Sequence, residues 1–230
     1  MSSLFIHIET ATEMCSVALS RGKEVIALRE SSEKNIHASM TAVFVNEVFE
    51  EVNLKPDDLQ AVVVSKGPGS YTGLRIGVST AKGLCYALDK PLIAVETLQA
   101  MAKGLLSKKS EDALYCPMID ARRMEVYSAL FNRNNEKVRA TKAEIIDERS
   151  FAEYLIDQKI IFFGNGAPKC KAMLGDHPNA IFVDDFKPSA KYLIEIALEK
   201  YQIKQFEDTA YFEPFYLKDF VAGKPRVKGL

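Results

Sequence analysis

An internal repeat constrains the fold of this chain more than any other feature of its sequence. The pair Ile8-Glu9 recurs as Ile119-Asp120, and Ala18-Leu19 recurs as Ala129-Leu130, with the same offset of 111 residues. Each copy is a short apolar strand that ends in a carboxylate, followed by a turn and a second apolar strand. The repeat therefore predicts two halves of the same topology, in which the two carboxylates occupy equivalent positions.

The elements predicted after each repeat also follow the same order. In the first half, three strands precede a helix over 37–52, a strand over 61–65, a glycine-opened helix and a strand over 91–97. In the second half, the corresponding pattern predicts a helix over 150–158, strands over 159–164 and 180–185, a short helix after Ala167 and a helix over 189–202. We therefore predict an α/β fold of two β-β-β-α-β-α-β units, residues 1–105 and 112–218, followed by a basic tail, residues 219–230.

A glycine-rich segment, KGPGSYTGLRIGVSTAKGL (66–84), lies between the strand at 61–65 and the next helix. Glycines and a proline favour a tight loop, and Ser70 or Thr72 can cap the helix. A helix start of this kind attracts anions. The spacing nevertheless matches neither common phosphate-binding motif, and Leu74 stands where such a loop has lysine. A phosphate-binding loop and a packing loop both remain open, with the packing loop favoured.

Small side chains form a strip along the helix that this loop opens, at Gly73, Gly77, Ala81 and Cys85. Residues four positions apart share one helix face, so another helix could approach this strip closely. With Met40 and Phe44 of the helix at 37–52, the strip is predicted to form an exposed helix-packing surface. On this prediction, Gly77→Leu leaves the monomer folded and blocks association.

Composition narrows the classes of protein to which the chain can belong. A formal net charge of -1 argues against a protein that grips nucleic acid by itself, because that function needs a strongly basic face. The four cysteines show no C-x-x-C pair and are read as reduced core thiols. The chain starts without a basic region before an apolar stretch and has no run of about 18 apolar residues, so we expect a cytoplasmic protein with no membrane contact.

The duplicated layout resembles the actin-like (ASKHA), ribonuclease-H-like fold, in which a nucleotide normally sits in the cleft between the halves. That resemblance implies that Glu9 and Asp120 flank such a cleft. The turn Gly164, Asn165, Gly166 is either an adenine-ribose contact or a plain strand-to-helix turn. Related ATPases have a glycine after each acid, where this chain has Thr10-Ala11 and Ala121-Arg122. We therefore predict no independent ATP turnover and no required cofactor, with at most a weakly held ATP or ADP with magnesium.

The segment GPGSYTGLRIGVSTAKGL closely resembles the signature of the TsaB (YeaZ) family, a subunit of the bacterial machinery that makes threonylcarbamoyladenosine in tRNA. Four other segments resemble this family in the same order: LFIHIETATEMCSVAL (4–19), IDARRMEVYSALF (119–131), GNGA (164–167) and PFYLK (214–218). The resemblance covers most of the chain. The usual aspartate of the opening motif is Glu9 here.

The family resemblance implies a noncatalytic scaffold subunit that binds and supports a TsaD-like catalytic subunit. It further implies a TsaE-like ATPase as a second partner, contact with tRNA through the complex and a homodimer when the partner is absent. Two other functions are the alternatives, namely a stand-alone small-molecule kinase and a glycoprotease-like metallopeptidase. The histidines argue against a metal site, because the metal-binding H-x-x-x-H pair of TsaD would need a second histidine where Thr41 stands.

Overall fold

Two five-stranded sheets form the framework of the computed structural model, which describes residues 3–33, 35–108 and 111–218. The first sheet has the order β3-β2-β1-β4-β5, and the second has the equivalent order β8-β7-β6-β9-β10. This identical order confirms the predicted duplication. The strands are β1 Leu4–Glu9, β2 Cys15–Arg21, β3 Glu24–Ser31, β4 Ala61–Gly67, β5 Leu92–Glu96, β6 Leu114–Asp120, β7 Glu125–Phe131, β8 Lys137–Ile145, β9 Ile160–Phe163 and β10 Ala180–Val183.

The three parallel strands β1, β4 and β5 have their carboxyl ends at the same edge of the first sheet. Strand β1 pairs with β2 in antiparallel and with β4 in parallel orientation, and β4 pairs in parallel with β5. The second sheet repeats this arrangement, since β6 is antiparallel to β7 and parallel to β9. Glu9 and Asp120 are therefore the last residues of equivalent strands, as the repeat predicts.

Helices cover both sheets, and two of them differ from the prediction. The first helix coincides with the predicted range 37–52. The helix predicted over 150–158 is a single turn, which starts after Phe151 in a left-handed conformation at φ 62°. The α-helices are α1 His37–Val52, α2 Tyr71–Leu88, α3 Thr97–Leu106, α4 Ala152–Leu155, α5 Ala167–Leu174 and α6 Ile194–Gln202, with 3-10 turns at Pro56–Asp58 and Ala190–Leu193. None of these helices, within the described ranges, is long and apolar enough to cross a bilayer.

Helix α3 is absent from the sequence-based prediction, because no helix-start signal separates it from the preceding strand. Seven of its ten residues are buried, and the three that are not, Gln99, Lys103 and Leu106, lie on one helix face. The helix begins directly after β5, and no side chain caps its first turn. It contributes to a central apolar cluster that draws on both halves, with Phe5 and Val63 from the first sheet and Tyr115 and Ile161 from the second. The two halves therefore share this central cluster, and each half also has an apolar cluster of its own.

The small-residue strip of α2 lies inside the first half, so the prediction that it is exposed is wrong. Gly73, Gly77, Ala81 and Cys85 are all buried. A Cβ atom added at Gly73 would overlap the carbonyl oxygen of Thr10, and one added at Gly77 would overlap its hydroxyl oxygen. The glycines thus allow α2 to approach the β1–β2 hairpin of its own chain closely.

The two larger side chains assigned to the same surface also face inward. Phe44 is buried, and half-buried Met40 packs against the apolar cluster beneath α1 and α2. Six residues predicted to contact a partner are thus core residues of the first half, in whole or in part: Met40, Phe44, Gly73, Gly77, Ala81 and Cys85.

The end of the described chain returns from the second half to the first. The amide of Glu207 donates to the carbonyl of Leu92 at 2.9 Å, and the amide of Phe215 donates to the carbonyl of Lys66 at 2.7 Å. The last part of the predicted unit 112–218 therefore packs on the first sheet. The predicted basic tail, residues 219–230, lies outside the described residues.

Candidate functional site

Glu9 ends β1 beneath the first hairpin and is completely buried. Its Oε1 accepts a hydrogen bond from the amide of Ala11 at 2.7 Å. Burial raises the pKa of Glu9 to about 7, against the lowering effect of the Ala11 amide and the Ser65 hydroxyl. A carboxyl group held in this way braces the turn and is poorly suited to share a divalent cation, which needs ionised oxygen ligands.

Asp120 ends β6 at the equivalent position but has a different environment. Its Oδ1 accepts hydrogen bonds from the Arg122 amide at 2.8 Å and from Lys169 Nζ at 2.6 Å. Partial burial acts to raise the pKa of Asp120, but the Lys169 ammonium group and the Arg122 amide outweigh it, so the pKa lies below its ordinary value. Asp120 is therefore ionised, and its charge is already paired.

Lys169 is the residue of this site that the sequence analysis missed. It lies in the first turn of α5 and also donates to the carbonyls of Arg123 at 2.9 Å and Glu125 at 2.6 Å. These three acceptors hold the β6–β7 hairpin against α5. The signal available in the sequence was a lysine just after the Gly164–Ala167 turn, at the sheet edge where Asp120 also ends its strand.

Two arginines lie in the β6–β7 turn. Arg122 and Arg123 have left-handed backbone conformations, at φ 71° and 51°. Such angles are uncommon for residues with a side chain, and they are typical of tight hairpin turns. The turn thus places both arginine side chains on the exposed rim above Asp120.

The Gly164–Ala167 turn packs closely against β6, which explains its glycines. Gly164 has a positive φ of 97°, and a Cβ atom on Gly166 would lie 2.9 Å from the carbonyl carbon of Ile119. Between them, Asn165 Oδ1 accepts from the Asp120 amide at 3.0 Å, and Asn165 Nδ2 donates to Glu13 Oε2 at 2.6 Å. Asn165 therefore links the end of β6 to the first hairpin across the two halves.

The glycine-rich loop packs in the same way against the first hairpin. The Ser70 amide donates to the carbonyl of Ala11 at 2.7 Å, and Thr10 Oγ1 donates to the carbonyl of Gly73 at 2.8 Å. The Ser70 hydroxyl caps α2 by accepting from the Gly73 amide at 3.3 Å. These contacts support the packing loop among the two interpretations of this segment, because the hairpin occupies the space in front of the loop.

The histidines near this edge have structural partners. His7 is completely buried, its Nε2 lies 2.8 Å from Ser20 Oγ, and burial lowers its pKa to about 3. His37 Nε2 lies 3.1 Å from the carbonyl of Met14, and the Thr41 hydroxyl donates to the carbonyl of His37 at 2.6 Å. Across the described ranges, no three His, Cys, Asp or Glu residues cluster as metal ligands.

Helices α1 and α2 contact each other and leave a second, outward surface exposed. On α1 this surface includes Val43, which is 41% exposed, and on α2 it includes Tyr86, which is 90% exposed. A Cβ atom added at Gly83 would meet no atom within 4 Å. We call this surface the outer face, formed by Ser39, Val43 and Asn46 of α1 and Ser79, Gly83 and Tyr86 of α2.

Comparison of solved structures shows the same fold elsewhere. YeaZ from Pseudomonas aeruginosa superposes with a TM-score of 0.78 at 24% sequence identity, over 94% of this chain and all of that chain. The activator of 2-hydroxyisocaproyl-CoA dehydratase from Clostridium difficile, solved with bound ADPNP, has a TM-score of 0.50 at 9% identity, covering 89% of this chain and 97% of that one. These matches confirm the duplicated actin-like fold.

Sequence comparison gives the family. The family model described as "TsaD: tRNA N6-adenosine threonylcarbamoyltransferase" matches residues 28–224. The tRNA threonylcarbamoyladenosine biosynthesis protein TsaB of Bacillus subtilis is 32% identical over 74% of this chain and 75% of its own length. The TsaB protein of Escherichia coli is 30% identical over 95% of this chain and 96% of its own length. The chain therefore belongs to the TsaB (YeaZ) family, within the wider group of sequences that the TsaD family model describes.

Proposed function

We propose that this chain acts in tRNA threonylcarbamoyladenosine biosynthesis as a noncatalytic subunit, which binds and supports a TsaD-like catalytic subunit. The observation that best supports the proposal is that Glu9 and Asp120 already bond to other groups of the chain itself. Glu9 is buried against the Ala11 amide, and Asp120 is paired with Lys169. The catalytic subunit transfers the threonylcarbamoyl group to N6 of the adenosine, and this chain stabilises that subunit.

The hairpins support a role without nucleotide chemistry. Phosphate binding by such hairpins requires backbone amides that a ligand can approach, and side-chain methyl groups at Ala11 and Ala121 obstruct that approach. In addition, the Asn165 side chain spans from the Asp120 amide to Glu13 of the opposite half. A phosphate group between the hairpins would have to displace this bridge as well as the Lys169 contact.

No cofactor is required for the proposed role. If ATP or ADP binds with magnesium, the groups that would hold it are Glu9, Asp120 and the turn Gly164, Asn165, Gly166. The alternative of a stand-alone kinase is less well supported because it needs both carboxylates free for magnesium. The alternative of a metallopeptidase needs a metal-binding pair, and the Thr41 hydroxyl bonds to the backbone where the second histidine would stand.

The outer face is the surface that we propose for the TsaD-like partner. It takes the place of the small-residue strip, because the strip is buried inside the first half. Exposed apolar and aromatic side chains such as Val43 and Tyr86 are typical of protein interfaces. A partner with the same fold can present its own equivalent helix pair and complete a four-helix packing, and a homodimer would use the same surface. A TsaE-like ATPase and tRNA join through the complex.

Gly83→Leu tests this assignment. The space around Gly83 is open in the monomer, so the variant folds, but the added side chain intrudes between packed helices. Overpacking of about 1–3 kcal/mol weakens binding about 5-fold to over 100-fold. Titration of a TsaD-like subunit into each protein, followed by calorimetry, measures the loss.

Glu153→Leu is the matched control, because it adds the same side chain to an exposed helix position in the second half. We expect wild-type affinity from the control. A folded Gly83→Leu variant that binds the partner as tightly as the wild type would place the interface elsewhere.

A further inference from the structure

The C-terminal residues 206–218, which we call the strap, lie on the surface and connect both halves. None of the strap residues is buried. The strap begins after α6. Its Glu207 amide donates a hydrogen bond of 2.9 Å to the carbonyl of Leu92 in β5, the edge strand of the first sheet. Its Phe215 amide then donates to the carbonyl of Lys66, the first residue of the glycine-rich segment, at 2.7 Å.

One side chain of the first half holds the middle of the strap. Lys82 of α2 donates from Nζ to the carbonyls of Ala210 and Phe212, each at 3.1 Å. Hydrogen bonds from a charged donor are stronger than those between neutral groups. Lys82 is therefore the main polar attachment between the two backbone contacts.

The end of the strap returns to the second half. The ring of Tyr216 lies 5.0 Å from the ring of Tyr71 at the start of α2, and Lys218 forms an ion pair with Glu125 at the start of β7. Glu125 also closes the β6–β7 hairpin, since its carbonyl accepts from the Ala121 amide at 3.0 Å. Within four residues, the strap thus connects the loop beside the first hairpin to the second hairpin.

We propose that the strap is a releasable clamp, which limits the separation of the two sheet edges that carry the β1–β2 and β6–β7 hairpins. The Lys82 side chain holds the strap in its bound position. The central cluster joins the halves in the interior, and at the hairpin-bearing edges they are joined by the strap and by the Asn165–Glu13 hydrogen bond. Release of the strap breaks few hydrogen bonds and separates one half-buried side chain, Phe212, from the apolar cluster of the first half, so it opens at a much lower free energy than the core. This inference is independent of the proposed function.

Hydrogen exchange on the full chain tests whether Lys82 holds the strap in place. In Lys82→Met, which keeps the aliphatic stem and removes the donor, we expect the amides of Glu207 and Phe215 to exchange about tenfold faster. Amides of β1 and β6 should be unchanged. Lys90→Met, which removes a lysine just beyond α2, should leave the strap as in the wild type. Unchanged strap exchange in Lys82→Met would overturn the role of Lys82.

Distances between spin labels test the clamp itself. Labels at Thr72→Cys and Met124→Cys report on the two edges, and the native cysteines are all buried and thus protected from labelling. We expect a longer and broader distance distribution in Lys82→Met and in Lys218→Met than in wild type or Lys90→Met. Faster strap exchange with an unchanged distance distribution would show that the strap does not restrain the edges.

Discussion

Glu9 and Asp120 end equivalent strands, yet their pKa values move in opposite directions. Burial dominates at Glu9 and raises its pKa to about 7, whereas the Lys169 ammonium group and the Arg122 amide lower the pKa of Asp120 despite partial burial. Two carboxylates that hold a metal together would both have to be ionised and free of internal cations. Glu9 instead accepts from the Ala11 amide, and Asp120 accepts from the Arg122 amide and from Lys169.

Glu9→Gln should alter how stability depends on pH. The folded-state pKa of Glu9, about 7, lies above its ordinary value of 4.5, so the folded protein binds the extra proton between these values. Its contribution to stability is therefore full below about pH 4.5 and is lost as the pH rises through about 7. The free energy of unfolding of wild type minus that of Glu9→Gln should fall by up to about 1.4 kcal/mol per pH unit across this window.

Urea unfolding of both proteins at several pH values measures this difference. The comparison is needed because His7 acts in the opposite direction, with a folded-state pKa of about 3 against an ordinary 6.5. Its contribution is lost as the pH falls below 6.5, and it cancels when both proteins retain His7. A constant difference between the two proteins would contradict the raised pKa of Glu9.

At the scale of elements, α2 has one crowded face and one open face, and a glycine lies on each of them. Gly77 faces the Thr10 side chain of the hairpin, and Gly83 faces open space. Gly77→Leu should therefore lower the stability of the monomer by about 1–3 kcal/mol or more through overpacking. Gly83→Leu should raise it by up to about 1 kcal/mol, because leucine favours a helix more than glycine does.

Thermal unfolding of the two variants decides between this account and an exposed strip. The midpoint should fall for Gly77→Leu and rise for Gly83→Leu. A Gly77→Leu variant as stable as the wild type would mean that α2 does not pack on the hairpin as described.

The elements also show where sequence reasoning succeeds and where it cannot. The shared topology of the two halves follows from the repeat, and the range of α1 follows from an apolar stripe with helical period, so both were predictable. Helix α3 begins directly after β5 without a side-chain cap, so its start has no comparable signal in the sequence. The strip at Gly77 was misplaced because small residues four apart look alike, whether the close neighbour is a partner helix or the chain's own hairpin. The Lys169 contact depends on the tertiary proximity of α5 and β6, so the lysine after the Gly164–Ala167 turn becomes a signal only once the fold places both elements at one sheet edge.

At the scale of the whole molecule, the shared core should make the two halves unfold together. The central cluster draws side chains from both sheets, with Phe5 and Ile93 from the first and Phe131 and Phe163 from the second. Neither half could unfold without exposing apolar side chains of the other, which opposes independent transitions. Hydrogen exchange of β1 and β6 amides in increasing urea should give one common midpoint. Two separate midpoints would show that the duplicated units are independent domains.

Under the proposed function, the chain supports a catalytic subunit through the outer face and performs no chemistry at Glu9 or Asp120. Transfer of the threonylcarbamoyl group to tRNA, reconstituted with a TsaD-like subunit and the other components, tests this claim most directly. We predict that activity requires this chain, survives in the double variant Glu9→Gln/Asp120→Asn, and falls in Gly83→Leu in step with the loss of partner binding. A double variant that folds and binds the partner normally, but abolishes transfer, would contradict the account by placing these acids in the catalytic machinery.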